Sequence, residues 1–373
     1  MVLSHPMNIA QMRPYVGLDD YKALRSCFEI NWVTEGPQAK EFIEEICRLT
    51  EVKYGVLAPN GTLALFLALK ALGIQEGDEV LVPDFTFIAS ATSVQLTGAT
   101  PLFVDVDYST LQLDVNKCKE RLTSRTKAIM PVHMYGAACD MTQLMQFAEE
   151  HNLLVIEDAA QALGISWKDK ACGSFGNAGC FSFFADKTIT TIEGGFIGTN
   201  DHTTYERLLY LRNQGRINSG TFVHPELGYN FRMTDIQCAL GLNQLRKKDF
   251  IFRRKLENFA FYERVLVENS HLRLMKPQAG SGFMPFRAAL VLNEEAAPLS
   301  EFLATKGIQA RTFFYPLHRQ PCFQYLQSLN PPSLFPNSAK LFNNGLCLPI
   351  YPDLTEEEIT YICDAIQEYY KNK

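Results

Sequence analysis

The sequence predicts an α/β fold with a mostly parallel central sheet, and two observations carry that prediction. Short, nearly continuous apolar runs recur through the first half of the 373-residue chain, and segments with helical spacing of apolar residues lie between them. Strands covered on both faces read as continuous apolar runs, whereas half-exposed strands alternate. Strand-like runs that alternate with helices are the pattern of a parallel sheet with helices on both faces. Ligands of such sheets gather at the carboxyl ends of the strands.

The runs follow in order as Val80–Phe85 (VLVPDF), Pro101–Val106 (PLFVDV), Lys127–Tyr135 (KAIMPVHMY), Leu153–Asp158 (LLVIED), Cys180–Phe184 (CFSFF) and Phe196–Thr199 (FIGT). Val115–Leu122 and Met141–Glu150 are the amphipathic segments between them. From about Asp235 the pattern changes. Asp235–Glu268 reads as one long helix without a strong breaker. A Gly/Pro-rich connection at Pro277–Pro285, a strand-like FRAALVL, a helix near Leu299–Lys306 and Pro-rich loops complete the chain. This predicts a large domain over residues 1–250 and a smaller α+β domain over residues 251–373.

Composition excludes several classes. Hydrophobic residues make up 47% of the chain, enough for a large core, and the net charge is -6 with no strongly basic stretch, which argues against nucleic acid. No apolar stretch approaches the roughly 20 residues that span a bilayer. The ten cysteines form no C-x-x-C pair and do not cluster with histidines, so they are expected as buried thiols rather than a disulfide framework or metal site. The stretch MVLSHPMNIAQMRPYVG lacks the pattern of a secretory leader. A cytoplasmic globular protein is expected.

Four places could carry chemistry. Asn60, Gly61 and Thr62 open an apolar helical run, where a hydroxyl, bare N–H groups and a close backbone approach suit a phosphate; they read equally as an ordinary helix cap. Asp158 ends a strand and could pair with a protonated ring nitrogen, a metal or a sugar hydroxyl, or cap the next helix. Gln161, three residues on, could share its ligand. Lys187 follows CFSFFAD; an enclosed lysine can lose its proton and attack a carbonyl, while an ordinary one is solvated. Ser182 lies on the same strand. Together, a phosphate holder, a carboxylate for a pyridinium and a lysine for an aldehyde are the parts of a pyridoxal 5'-phosphate site.

At this point the chain resembles a known family, the DegT/DnrJ/EryC1/StrS sugar aminotransferases, within the fold type I pyridoxal phosphate enzymes. The resemblance covers nearly the whole chain. It rests on VTEGPQAKEF, APNGTLALFLAL, VLVPDFTFIASA, PLFVDVD, PVHMYGAACDM, IEDAAQALG, FSFFADKTITTIEGG and GYNFRMTDIQCALGLNQL, with YPLH at Tyr315–His318. It implies an aspartate aminotransferase-like fold. It also implies that Lys187 carries the cofactor, that Asp158 pairs with the ring nitrogen, and that Gln161 lies near the 3-hydroxyl. By the same resemblance Phe87 stacks on the ring, and Gly61, Thr62 and Ser182 hold the phosphate. Asn230 would reach the phosphate of a neighbouring subunit, which implies a homodimer with shared active sites. Glu193 and His318 fall on the substrate side, Glu193 as a support for the lysine loop. Asp186 stands where relatives vary and could reach substrate or face solvent.

One residue departs from the pattern. Ile192 stands where the family usually has glycine, before Glu193-Gly194-Gly195. A β-branched residue disfavours positive φ, so a locally different turn is expected. Relatives with histidine in place of the lysine are dehydratases, and Lys187 therefore favours transamination. A nicotinamide enzyme would need a glycine-rich G-x-G-x-x-G turn after a strand, and none is suitably placed. The resemblance implies ping-pong transfer from L-glutamate to a keto sugar nucleotide. The run KTITT is most similar to the family members that aminate C4 of GDP-4-keto-6-deoxymannose. Relatives that use dTDP- or UDP-linked sugars, or aminate C3, share the other motifs. The products usually feed O-antigen or other lipopolysaccharide and surface-glycan synthesis.

Overall fold

Thirteen short strands organise the described chain, which comprises residues 7–217, 220 and 222–373 of the computed structural model. The first six residues of the stretch read for a leader lie outside it. Seven strands form the large sheet: β1 (Tyr54–Ala58), β2 (Glu79–Pro83), β3 (Thr100–Val104), β4 (Thr126–Ile129), β5 (Leu154–Asp158), β8 (Ala178–Ser182) and β9 (Gly195–Thr199). Between β5 and β8, β6 (Ser166–Trp167) and β7 (Lys170–Ala171) pair as a small hairpin. The order in the large sheet is β1-β9-β8-β5-β4-β2-β3. All neighbours are parallel except β9, which runs antiparallel to both β1 and β8. The carboxyl ends of β1, β2, β5 and β8 therefore share one edge.

The continuous apolar runs are buried on both faces as expected, and β2 is buried along its whole length. Phe85, Phe103, Phe181, Phe183 and Phe196 are fully buried, each stabilising the fold by on the order of 2–3 kcal/mol. The strand expected over Lys127–Tyr135 ends at Ile129. Pro131 offers no N–H to a ladder, and the chain turns at Tyr135 with φ 53°. The helix expected over Val115–Leu122 stops at Lys119. β1 was not read from the sequence; its glycine at 55 and short length weaken the strand signal.

The long helix expected over Asp235–Glu268 is two helices, Asp235–Arg246 and Lys248–Leu266. No breaker residue marks the joint. At Lys247 the ammonium is held by Asp19 at 2.9 Å and Asp20 at 2.7 Å, so tertiary ion pairs act where local propensity is silent. The Asp235 carboxylate accepts bonds from the N–H groups of Gly36, Gln38 and Ala39. It thereby caps helix Pro37–Thr50 from far away in the sequence.

A second, antiparallel sheet has the order β10-β11-β13-β12, from β10 (Leu272–Leu274), β11 (Ala288–Leu292), β12 (Arg311–Thr312) and β13 (Gly345–Leu348). Its outer core includes Phe259, Tyr262 and Leu266 from helix Lys248–Leu266, and Ile362 and Ile366 from helix Glu356–Lys371. Ile9, near the other end of the chain, is buried in the same core and bridges Ile308. Ile251, at the start of helix Lys248–Leu266, packs into the core of the large sheet. A further cluster joins the sheets, with Phe85, Val132 and Tyr135 from one side and Phe286, Ala289 and Cys347 from the other.

Candidate active site

A cleft of about 400 Å³ opens along the shared edge of the large sheet and is closed on the far side by the second sheet. Ten of the twelve residues given a candidate site role from sequence line it: Asn60, Gly61, Thr62, Phe87, Asp158, Gln161, Ser182, Asp186, Lys187 and Glu193. Two do not, Asn230 and His318.

The phosphate-like end is built from β1, β8 and the helix Gly61–Ala71. Asn60 caps that helix by accepting from the Leu63 N–H at 2.9 Å. Gly61 and Thr62, the first residues of that helix, line the cleft, where first-turn N–H groups have no partner within the helix. Gly61 passes so close to β8 that a Cβ there would lie 2.9 Å from Ser182 Cβ. The glycine is thus a packing requirement, and it holds Ser182 beside the helix end.

Asp158 ends β5 and is 5% exposed. Its Oδ2 accepts from Ser90 Oγ at 2.7 Å, Ser90 lies 3.0 Å from Thr86 Oγ1, and its Oδ1 accepts from the Ala160 N–H. Burial raises its carboxyl above the usual range, opposed by the Ser90 and Ala160 hydrogen bonds. A cation beside it would keep it ionised. Gln161 Oε1 accepts from the Tyr135 N–H at 2.8 Å, which leaves the amide N–H groups to donate into the cleft.

Lys187 follows β8 on a tight turn, its N–H bonded to the Phe184 carbonyl. Burial pulls its ammonium below the ordinary lysine range. The attraction of Asp186 opposes that shift, the positive charge of Arg287 adds to it, and Asp158 opposes it more weakly. Its Nζ lies 3.8 Å from Asp186 Oδ1 and 4.6 Å from the centre of the Phe286 ring. Phe87 is exposed at the cleft, its ring 6.0 Å from that of Phe314.

The lysine turn corrects one expectation. Ile192 adopts φ 71°, the left-handed conformation that favours glycine, so the β-branched residue takes the positive φ it was expected to avoid and stores strain there. Hydrogen bonds impose it: Ile192 N to Thr190 Oγ1, Thr191 N to the Phe183 carbonyl, and Phe183 N to the Gly194 carbonyl. The Glu193 carbonyl also accepts from Gln237 Nε2 at 2.7 Å.

His318, expected beside the sugar nucleotide, lies away from the cleft with a fully buried side chain. Its N–H donates to Asp84 Oδ1 and its Nδ1 lies 2.7 Å from Asp84 Oδ2, while the ring stacks on Phe335. It fastens the loop that carries Thr86 and Phe87. Asn230 is exposed, on a segment that bridges Asn213, outside the cleft of its own chain. Sequence reading missed Ser90, Tyr135, Phe286, Arg287, Arg311 and Phe314. One signal was available: Arg287 is a charge at the head of an otherwise apolar strand, FRAALVL.

Comparison with known proteins agrees with this geometry. The DegT/DnrJ/EryC1/StrS aminotransferase family model matches residues 15–367. A GDP-perosamine synthase of Escherichia coli O157:H7 is 40% identical over 94% of this chain and 95% of its own length. A GDP-perosamine synthase of Vibrio cholerae is 34% identical over 96% and 98%. Among solved structures, a candidate sugar aminotransferase of Streptococcus pneumoniae in its PLP form superposes with a TM-score of 0.93 at 25% identity, covering 98% of this chain and 99% of that one. The chain belongs to the DegT/DnrJ/EryC1/StrS aminotransferase family and is a pyridoxal phosphate-dependent sugar aminotransferase.

Proposed function

We propose that this aminotransferase moves an amino group from L-glutamate to C4 of a 4-keto-6-deoxy sugar nucleotide, with GDP as the nucleotide. The observation that carries the chemistry is the convergence of Lys187, Asp158 and the Gly61–Ser182 cradle on one cleft. The choice of substrate is supported by relatives named GDP-perosamine synthase at 34% and 40% identity.

The residues present fit pyridoxal phosphate. The helix end at Gly61 and Thr62, with Ser182, would hold its phosphate, and Phe87 would lie over its ring. Bound there, the cofactor supplies the carbon that carries the amino group in transit and a ring that accepts electrons. Asp158 would hold the proton on the ring nitrogen, whose positive charge in turn keeps this buried carboxylate ionised. The Gln161 amide would donate to the ring oxygen. Lys187 would anchor the cofactor and, once displaced by the donor, act as general base through Nζ. Its depressed basicity keeps a larger share of neutral amine than an exposed lysine has, as both tasks require.

Asn230 is exposed and outside its own cleft, as expected of a residue that serves the phosphate of a second subunit. We therefore read the active form as a homodimer with shared sites. No helix among the described residues is long and apolar enough to cross a membrane. We assign the reaction to the cytoplasm and to the supply of O-antigen or related surface glycans.

A panel of GDP-, dTDP- and UDP-linked keto sugars with L-glutamate, followed by NMR of the product, tests the proposal. It predicts fastest turnover with the GDP-linked 4-keto sugar and an amine on C4. An amine on C3, or preference for another nucleotide, would overturn the substrate assignment.

A further inference from the structure

The geometry points to Arg287 as the receptor for the α-carboxylate of the amino donor. The inference rests on the reading that Lys187 carries the cofactor.

Arg287 is buried, immediately before β11, and lines the same cleft as Lys187. Its guanidinium carbon sits over the neighbouring ring, 4.1 Å from the centre of Phe286. A guanidinium has five N–H groups in a rigid fork that matches a carboxylate. Arg287 commits one of them, Nη2, to Asp186 Oδ2 at 2.5 Å. It makes no other hydrogen bond among the described residues. None of its unused donors is sealed from solvent, so they stand open at the cleft, where a carboxylate can replace water on them.

Position identifies the anion. Lys187 Nζ sits over the same Phe286 ring as Arg287. An amino donor must bring its nitrogen to where the Lys187 nitrogen was. Its α-carboxylate is two bonds from that nitrogen, so its receptor must stand beside the lysine. The diphosphate of a sugar nucleotide reacting at C4 lies across the hexose ring and beyond it, too far to use the same group. Asp186 acts as the resident partner of Arg287 until the donor arrives. Its Oδ1 is buried without a hydrogen bond and faces Lys187 Nζ at 3.8 Å, so the carboxylate lies between the two cations.

The probes are 2-oxoglutarate and 2-oxobutanoate, both of which carry the carboxylate next to the keto group, the second without a γ-carboxylate, and neither has an amine to react with the aldehyde-form holoenzyme. Calorimetric titration of that holoenzyme should show Arg287→Met weakening binding by about 30-fold or more, with Arg287→Lys weakening it less. Asp186→Asn should tighten binding by about threefold or more, because it removes the competing carboxylate. A merely structural ion pair would lose in both variants. Binding in Arg287→Met within about threefold of the parent would overturn the inference, as would weakening in Asp186→Asn. A matching loss of affinity for GDP, dTDP or UDP would also overturn it and assign Arg287 to the diphosphate. Should Arg287→Met fail to fold, the opposite signs expected of Arg287→Lys and Asp186→Asn still decide. Borohydride labelling of the same preparations separates the two readings: absence of label on Lys187 rejects the site assignment, whatever Arg287 does.

Discussion

The two sides of the cleft differ in how the chain builds them. On one side, Asn60 to Thr62, Asp158, Ser182 and Lys187 stand at or just beyond the carboxyl ends of β1, β5 and β8. On the other, Phe286, Arg287, Arg311 and Phe314 come from the second sheet and its borders, with Lys255 packed behind them on helix Lys248–Leu266. The first side holds, at fixed strand ends, the groups we assign to reaction and cofactor binding. The second presents the Phe286 ring with two cations of its own side around it, Arg287 at 4.1 Å and Lys255 at 5.9 Å from its centre, and Lys187 of the first side meets the same ring at 4.6 Å. The difference teaches that reaction and electrostatic setting can be carried by separate sheets that meet only in the folded chain.

The largest effect should come from the reacting side. Lys187→Ala should lower turnover with L-glutamate by at least about 10³-fold, since it removes both anchor and base. Steady-state assay of the purified variant checks this.

The second side should show itself in stability. Burial, with repulsion from Arg287, pulls the Lys255 ammonium down to about 7 from its ordinary 10.5. Between those pH values the unfolded chain keeps a proton that the folded chain releases, so the stability of the protein should rise as pH rises from 7 to 10. Lys255→Met should stabilise the protein near pH 7 by on the order of a few kcal/mol and flatten that rise. Urea unfolding at both pH values would measure it. A variant less stable than the parent at pH 7 would show that the amine has found compensation and that the two sides are not so different.

The seam between the sides should be intermediate. Asp84→Ala leaves His318 buried without its partner and frees the loop of Phe87. It should cost about 3 kcal/mol of stability and loosen the cofactor. Chemical denaturation and spectroscopic titration with pyridoxal phosphate would measure the two parts.

The smallest effect belongs to the lysine turn. Ile192→Gly should relieve left-handed strain of about 1–2 kcal/mol and lose part of that gain to the freer unfolded chain. A net stabilisation of about 1 kcal/mol in denaturant is expected.

Much of the reacting side was legible in the sequence because each group sits beside a strand end and a turn, where residue type is informative. The parallel sheet was legible for the same reason, as continuous apolar runs. The joint at Lys247 was not, because ion pairs from Asp19 and Asp20 mark it rather than a proline or glycine. Lys255 was not, because it stands in the charged run Arg253-Arg254-Lys255 that reads as a solvated helix face, and Arg287 was marked only as a charge beside an apolar strand, with nothing local to say what it faces. His318 was misplaced because a short motif gives neighbourhood without direction, and here the ring turns inward to Asp84. Ile192 misled in the opposite sense, since hydrogen bonds around the turn override the preference of one side chain.

Lys187, and not the more deeply buried Lys255, is the lysine we assign to the cofactor. Borohydride reduction of the yellow holoenzyme, followed by mass mapping of the peptides, tests it most directly. The phosphopyridoxyl mass is expected on the peptide containing Lys187 alone. The same mass on the peptide containing Lys255, with Lys187 unmodified, would contradict it.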